Sequence, residues 1–218
     1  RMNRLIEEVL YPAMEGRMLH LVVGKGPSAR SLNLELPPFT LIAATTRIGL
    51  LSGPLRSRFG VSFRLNFYSE EDIKKIIKRS AHILGIAIEE SASERIAQSS
   101  RFTPRVANRL LKRARDWADV HNQSVITNET AEKTLDLLGI DAHGLEEMDR
   151  KILTALIRTF NGGPAGIQAI AASVSEETDT IEEVYETYLM QLRFIERTPR
   201  GRVAMERAYQ HLGIASST

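Results

Sequence analysis

Apolar residues at Met2, Leu5, Ile6, Val9, Leu10 and Met14 recur with the three-and-four spacing of a helix that buries one face, and Gly16 marks its end. The period then changes to two. Leu19, Leu21 and Val23 share one face of a strand, and Leu32, Leu34 and Leu36 share one face of another. Gly24-Lys25-Gly26-Pro27-Ser28 between them has turn chemistry, so the pattern predicts a long β-hairpin over 18–36. Thr40-Leu41-Ile42-Ala43-Ala44-Thr45 is an unbroken apolar run, as a strand buried on both faces of a parallel sheet would be. A further strand is predicted over 61–67, and a short helix or a loop over 50–58.

From Ser69 the character changes. Ser69 with Asp72 resembles a capping box and opens a helix through Ile73, Ile76 and Ile77. Helices are predicted near 90–99, 104–120 and 128–138, the last with Thr127 at its N-cap, and no strand is evident there. Gly139-Ile140-Asp141-Ala142-His143-Gly144 reads as a linker. Beyond it come helices near 145–158, 166–173 and 179–190. A short hairpin then pairs 194–197 with 202–205 around Thr198-Pro199-Arg200-Gly201. Three helices followed by a hairpin is the winged-helix pattern. The expected organisation is an α/β part over 1–68, an all-α domain over 69–139 and a winged-helix domain over 142–218.

Composition narrows the chemistry. With 43% hydrophobic and 26% charged residues, the 218-residue chain has the material for an ordinary core. It holds no cysteine, which excludes disulfides and thiolate metal sites, and its five histidines lack metal-ligand spacing. No apolar run approaches the roughly 20 residues that span a bilayer. Arg1-Met2-Asn3-Arg4 shows no signal-peptide pattern, so a cytoplasmic protein is expected. Because Arg1 falls inside an amphipathic pattern, the sequence reads as part of a longer chain. A net charge of +2 says little about nucleic acid. Local clustering says more: from Gln191 onward, Arg193, Arg197, Arg200, Arg202 and Arg207 face only Glu196 and Glu206.

The runs LYPAMEG (10–16), GPSARS (26–31), LPPFTLIAATTR (36–47), PLRSRFG (54–60), TPRVANRLL (103–111), MDRKIL (148–153), NGGP (161–164) and RTPRGR (197–202) resemble the RuvB family in order and spacing. The similarity covers essentially the whole chain. It implies the C-terminal part of an α/β AAA+ ATPase core, then an all-α lid and a winged-helix head. It also implies an ATP-driven motor that moves Holliday junctions in recombination and DNA repair. Such a motor is a homo-hexameric ring on double-stranded DNA, working with RuvA and with RuvC in the resolving complex. ATP and Mg²⁺ are the implied cofactors. No G-x-x-x-x-G-K-[ST] occurs here, and the family's Mg²⁺-binding Asp-Glu-Ile-His-Arg would end at Arg1. The 218 residues alone are therefore expected to be inactive.

The resemblance assigns roles residue by residue. Thr46, ending the buried run, matches the sensor that feels the γ-phosphate; Thr45 is the rival, and a threonine that merely ends a strand is the bland alternative. Arg58 matches the arginine finger acting in trans, a role suited to a permanently charged planar fork. A loop arginine is otherwise a solvated charge of little consequence. Glu15, Gly16, Arg17 and Tyr68 align with nucleotide-contacting positions, although relatives carry Asp and an aromatic where Gly16 and Arg17 stand.

Arg105 has a physical case of its own. Thr103 suits an N-cap and Pro104 the first helical position, which puts Arg105 in a first turn where the helix dipole disfavours a cation. A bound phosphate would reverse that sign, and the family's second nucleotide sensor sits there.

In the last domain the helix near 178–190 carries Glu182, Glu183 and Glu186, which argues against groove reading. The wing's Arg197, Arg200 and Arg202 suit phosphate contact without base readout. By resemblance Arg197 and Arg202 touch DNA; Thr178 stands where relatives have a further arginine. The hairpin 18–36 carries apolar side chains to its tip, as an interaction surface would, and in the family it docks RuvA. The alternatives are another AAA+ machine such as a clamp loader, or a winged-helix regulator without catalysis, which would leave Arg58 and Arg105 without a task.

Overall fold

The computed structural model describes residues 4–24 and 30–215, in two compact units, Arg1–Leu65 and Asn66–Thr218. In the first, α1 (Arg4–Gly16) buries Ala13 and Glu7, while Ile6 stays half exposed. Met2 lies outside the described residues. Arg17 takes a left-handed turn (φ 54°) that ends the helix and starts the hairpin. Strands β1 (Met18–Val23) and β2 (Arg30–Glu35) pair antiparallel from Met18↔Glu35 to Val23↔Arg30. The Leu36 N–H donates to the Arg17 carbonyl at 2.7 Å and closes the base. Most of the expected turn, 25–29, lies outside the described residues. Val22, Val23, Leu32 and Leu34 are all exposed, so the ribbon shows apolar side chains on both faces.

The segments 40–45 and 61–67, expected as strands, form no strand and pair with nothing among the described residues. A central strand is made by the ladders on its two sides, and among the described residues none lies beside either segment. Ile42, Phe63 and Leu65 are accordingly 86%, 83% and 91% exposed. The alternative of a helix at 50–58 holds in part. Gly53–Arg58 forms α2, with the Ser52 hydroxyl accepting from the Leu55 N–H at 3.2 Å and Leu55 buried beneath.

The second unit contains two apolar cores. The first is built by α3 (Glu70–Ile83), α4 (Glu90–Gln98), α5 (Pro104–Val120) and α6 (Asn128–Leu137), around Ile73, Ile77, Ile96, Leu110, Leu111 and Leu135. Ser69 caps α3 as expected: its hydroxyl accepts from the Asp72 N–H and donates to the Asp72 carboxylate. Thr127 caps α6 by accepting from the Thr130 N–H at 3.2 Å. One feature departs from the all-helical expectation. The two-residue strands β3 (Ala87–Ile88) and β4 (Val125–Ile126) pair in parallel and tie the two interhelical connections together.

The second core gathers α7 (Glu147–Thr154) with its π-helical continuation Ala155–Thr159, and α8 (Ile167–Val174). A helix over 178–191 follows, composed of α9 (Thr178–Thr180), a π-helical stretch Ile181–Glu186 and α10 (Thr187–Gln191). The hairpin β5 (Ile195–Thr198) and β6 (Gly201–Ala204) comes next, then α11 (Glu206–Leu212). The wing is pinned to the 161–165 loop. Ala165 and Arg202 exchange both backbone hydrogen bonds, at 2.9 and 2.8 Å. The Ala204 N–H donates to the Gly162 carbonyl at 2.8 Å. The approach requires glycine on both sides: a Cβ on Gly163 would lie 2.3 Å from the Arg202 carbonyl oxygen, and one on Gly201 2.4 Å from that of Ala165.

Candidate nucleotide and DNA contact sites

In the first unit the structure brings two expected nucleotide residues together. Arg58, on the last turn of α2, pairs with Glu15 near the end of α1 at 2.7 Å. It also donates to the Pro54 carbonyl at 2.7 Å and lies over the Tyr11 ring at 4.3 Å. Its Nε is buried without a hydrogen-bond partner. The guanidinium is thus held in place yet keeps an unused donor. Gly16 and Arg17 are exposed at the helix end, and Thr46 is exposed beyond the 40–45 segment. The Thr45 hydroxyl is committed to its own turn, accepting from the Arg47 N–H at 3.0 Å.

Tyr68 and Arg105 belong to the second unit. Tyr68 is 48% exposed, and its backbone N–H donates to the Phe102 carbonyl at 3.4 Å, which joins the start of α3 to the loop before α5. Arg105 sits one residue after Pro104, in the first turn of the 17-residue α5, and is exposed. Thr103 occupies the N-cap but does not cap: its hydroxyl donates to the Ser100 carbonyl at 3.2 Å. The first-turn N–H groups therefore lack a side-chain acceptor, and a cation stands among them. Helix end and guanidinium together favour an anion.

The expected DNA contacts differ sharply. Arg197 is 58% exposed, with a long 3.6 Å contact to Glu182. Arg202 is only 7% exposed. Its Nε and one terminal nitrogen donate to the two oxygens of Glu186 at 3.0 and 2.8 Å, and the same nitrogen donates to Glu182 at 2.8 Å. Arg200 is exposed at the hairpin turn.

Known proteins share the order of these parts. Residues 1–65 match the family described as the Holliday junction DNA helicase RuvB P-loop domain, 68–141 the RuvB AAA lid domain, and 142–213 the RuvB C-terminal winged helix domain. The RuvB subunit of the Holliday junction branch migration complex from Kosmotoga olearia is 56% identical over 215 residues, or 99% of this chain and 63% of that protein. The chain belongs to the RuvB family. Among solved structures, the Thermotoga maritima RuvB Holliday junction branch migration motor superposes with a TM-score of 0.84 at 46% identity. That match covers 99% of this chain and 67% of the other. A point mutant of the same Thermotoga protein gives 0.85 at 46% identity, over 98% and 68%. The chain spans about 63% of the length of its Kosmotoga relative.

For a RuvB-family chain the fit to a nucleotide is uneven. Arg105 at an uncapped helix start suits a phosphate, whereas Arg58, with its Nε buried and its terminal nitrogens held by Glu15 and Pro54, would have to leave those partners to reach one. Among the described residues no group of three His, Cys, Asp or Glu could hold a metal ion. Among them too, no helix is long and apolar enough to cross a membrane. In the sequence Glu182 and Glu186 read only as charges opposed to groove reading. Their acceptor role toward Arg202 had one readable sign, the four-residue spacing that puts both on one helix face.

Proposed function

We propose that this chain supplies the sensor, lid and DNA-gripping parts of a RuvB-type motor that drives Holliday junction branch migration with ATP. The observation that carries the reading is the unbroken succession of three RuvB domain matches over 1–213, with only residues 66 and 67 between the first two. The nucleotide supplies the phosphoryl-transfer chemistry when bound, with Mg²⁺ held by residues outside these 218. On this reading Arg105 binds a phosphate oxygen at the α5 N-terminus, and Thr46 orients the attacking water. Tyr68, Glu15, Gly16 and Arg17 line the nucleotide. Arg58 reaches the site of a neighbouring subunit in a homo-hexameric ring, and Glu15 with Tyr11 holds it ready until then. Arg197 and Arg202 hold duplex phosphates. The hairpin 18–36, whose strands expose apolar side chains on both faces, docks RuvA, RuvC joins in the resolving complex, and the motor works in the cytoplasm. The 218 residues by themselves turn over no ATP, since they contain no phosphate-binding lysine loop.

Mixed rings test this. In the full-length motor Arg58→Ala should bind ATP nearly normally and hydrolyse it poorly, by roughly the 10³–10⁵ typical of a lost finger. Mixing it with subunits disabled in the phosphate loop should restore part of the turnover, because each supplies what its neighbour lacks. Mixed rings that form yet recover nothing would rule the finger assignment out.

A further inference from the structure

Both wing arginines assigned to DNA touch one carboxylate. Glu182 lies 2.8 Å from a terminal nitrogen of Arg202 and 3.6 Å from one of Arg197. A phosphodiester bridging the same two guanidinium groups would place its oxygen where the Glu182 oxygen now sits, since carboxylate and phosphate are interchangeable acceptors for that fork. Glu186 is placed differently. It is 3% exposed and grips Arg202 through both oxygens, whereas the Glu182 side chain is 34% exposed and holds with one. The backbone of Arg202 is fixed independently by Ala165. Both glutamates lie in the π-helical stretch Ile181–Glu186, a local widening that often marks functional positions.

We propose that Glu182 is a built-in competitor for the DNA phosphate: it occupies the wing arginines when DNA is absent and is displaced when DNA binds, while Glu186 stays and positions Arg202. The inference rests on the reading of Arg197 and Arg202 as DNA contacts. Three consequences follow from the charges. Each binding event exchanges one anion for another, so the net gain per subunit is small. The carboxylate released on binding sits beside the phosphate and repels it, which lowers the effective number of phosphates neutralised. Release is fast, because the arginines have an internal partner waiting. A motor that steps along any sequence needs that balance of grip and release.

The test uses the full-length motor and duplex DNA of arbitrary sequence, titrated at several salt concentrations. Glu182→Gln should tighten binding roughly three- to tenfold at low salt and slow dissociation in proportion. It should also steepen the plot of log K against log[salt] by about 0.9 for each engaged subunit. Glu196→Gln removes the same charge from an exposed wing position that makes no ion pair among the described residues, and it should change both readings much less. Glu186→Gln should act in the opposite direction and weaken binding, because Arg202 loses its fixed partner. A head that melts with the wild-type profile in each variant makes the comparison valid, and Glu182→Asp, which keeps the charge on a shorter arm, should fall between. If Glu182→Gln leaves affinity and slope unchanged, or shifts them no more than Glu196→Gln, the competitor role is overturned. If Arg197→Ala and Arg202→Ala themselves leave DNA binding intact, the underlying DNA assignment is what fails.

Discussion

Arg101, in the loop that leads into α5, sends its guanidinium into the winged-helix head and pairs there with Asp149, a carboxylate with no solvent exposure. Its Nε donates to the Gly144 carbonyl at 3.2 Å, and its charge lies 5.1 Å from the centre of the Tyr188 ring. One Asp149 oxygen takes the Arg101 bond and the Glu146 N–H; the other is buried without a partner. The pair joins the loop before the Arg105 helix to the first helix of the head.

Breaking that pair from one side should be costly. Arg101→Met leaves a buried carboxylate unpaired and should destabilise the Asn66–Thr218 unit by about 3–5 kcal/mol at neutral pH. The double change Arg101→Met with Asp149→Leu should recover most of the loss, since a well-packed apolar pair avoids both desolvation costs. Denaturant unfolding of the four proteins in the cycle measures it. A double variant as unstable as the single one would mean that geometry, not charge burial, sets the cost.

The same carboxyl sets a pH dependence. Burial outweighs the attraction of Arg101 and pushes Asp149 from 3.8 up to about 6. The folded state therefore holds this proton more tightly than the unfolded one. The contribution of Asp149 to stability is greatest below about pH 4 and declines as pH rises toward 6. The decline from this group is on the order of 3 kcal/mol. Asp149→Asn cannot titrate, so the stability of the wild type relative to Asn should fall between pH 4 and 6 and level off above. A difference that stays flat across that window would contradict the assignment.

Gly163 and Gly201 should tolerate no side chain. Gly163→Ala puts a methyl against the Arg202 carbonyl, and Gly201→Ala puts one against the Ala165 carbonyl, at φ values of +96° and +139°. Backbone rather than a movable side chain is in the way, so the wing must shift. Each variant should lower stability by about 1–3 kcal/mol. Each should also weaken DNA binding by the full-length motor, although neither removes a charge. Thermal melts with binding titrations decide, and an unaltered melt would show that the wing is less firmly pinned than its hydrogen bonds indicate.

Arg105→Ala should separate stability from function. The residue is exposed and its first-turn position disfavours a cation, so its removal should change stability by no more than about 0.5 kcal/mol. Nucleotide binding or turnover by the full-length motor should fall markedly. A purely structural arginine would give the reverse pattern.

Local rules made much of this fold legible. Ser69 and Thr127 announced their helices because a cap is decided within three residues, and the wing hairpin was readable from Pro199, Arg200 and Gly201 at its turn. The 40–45 and 61–67 segments were not, because apolar runs report a wish to be buried and say nothing of which ladder is present. Arg101 and Asp149 are 48 residues apart, and nothing in either neighbourhood points to the other. The turn chemistry places Arg202 on the wing, but its burial depends on Glu182 and Glu186 two elements earlier. Thr103 shows the limit of a local rule: the right residue stands at the N-cap, yet its hydroxyl turns back to Ser100.

Phe102 carries a practical consequence. It follows Arg101, both with φ above +50°, in a loop between two lid helices, yet its ring packs on the head's core, 6.4 Å from the centre of the Tyr188 ring. Cutting the gene at the seam between the lid and winged-helix matches would thus separate this aromatic from the interior it helps to fill. The excised head would be left with a dent beside Tyr188, and the excised lid with a greasy knob. Shuffling such heads among relatives would succeed more often if the 99–103 loop travelled with them.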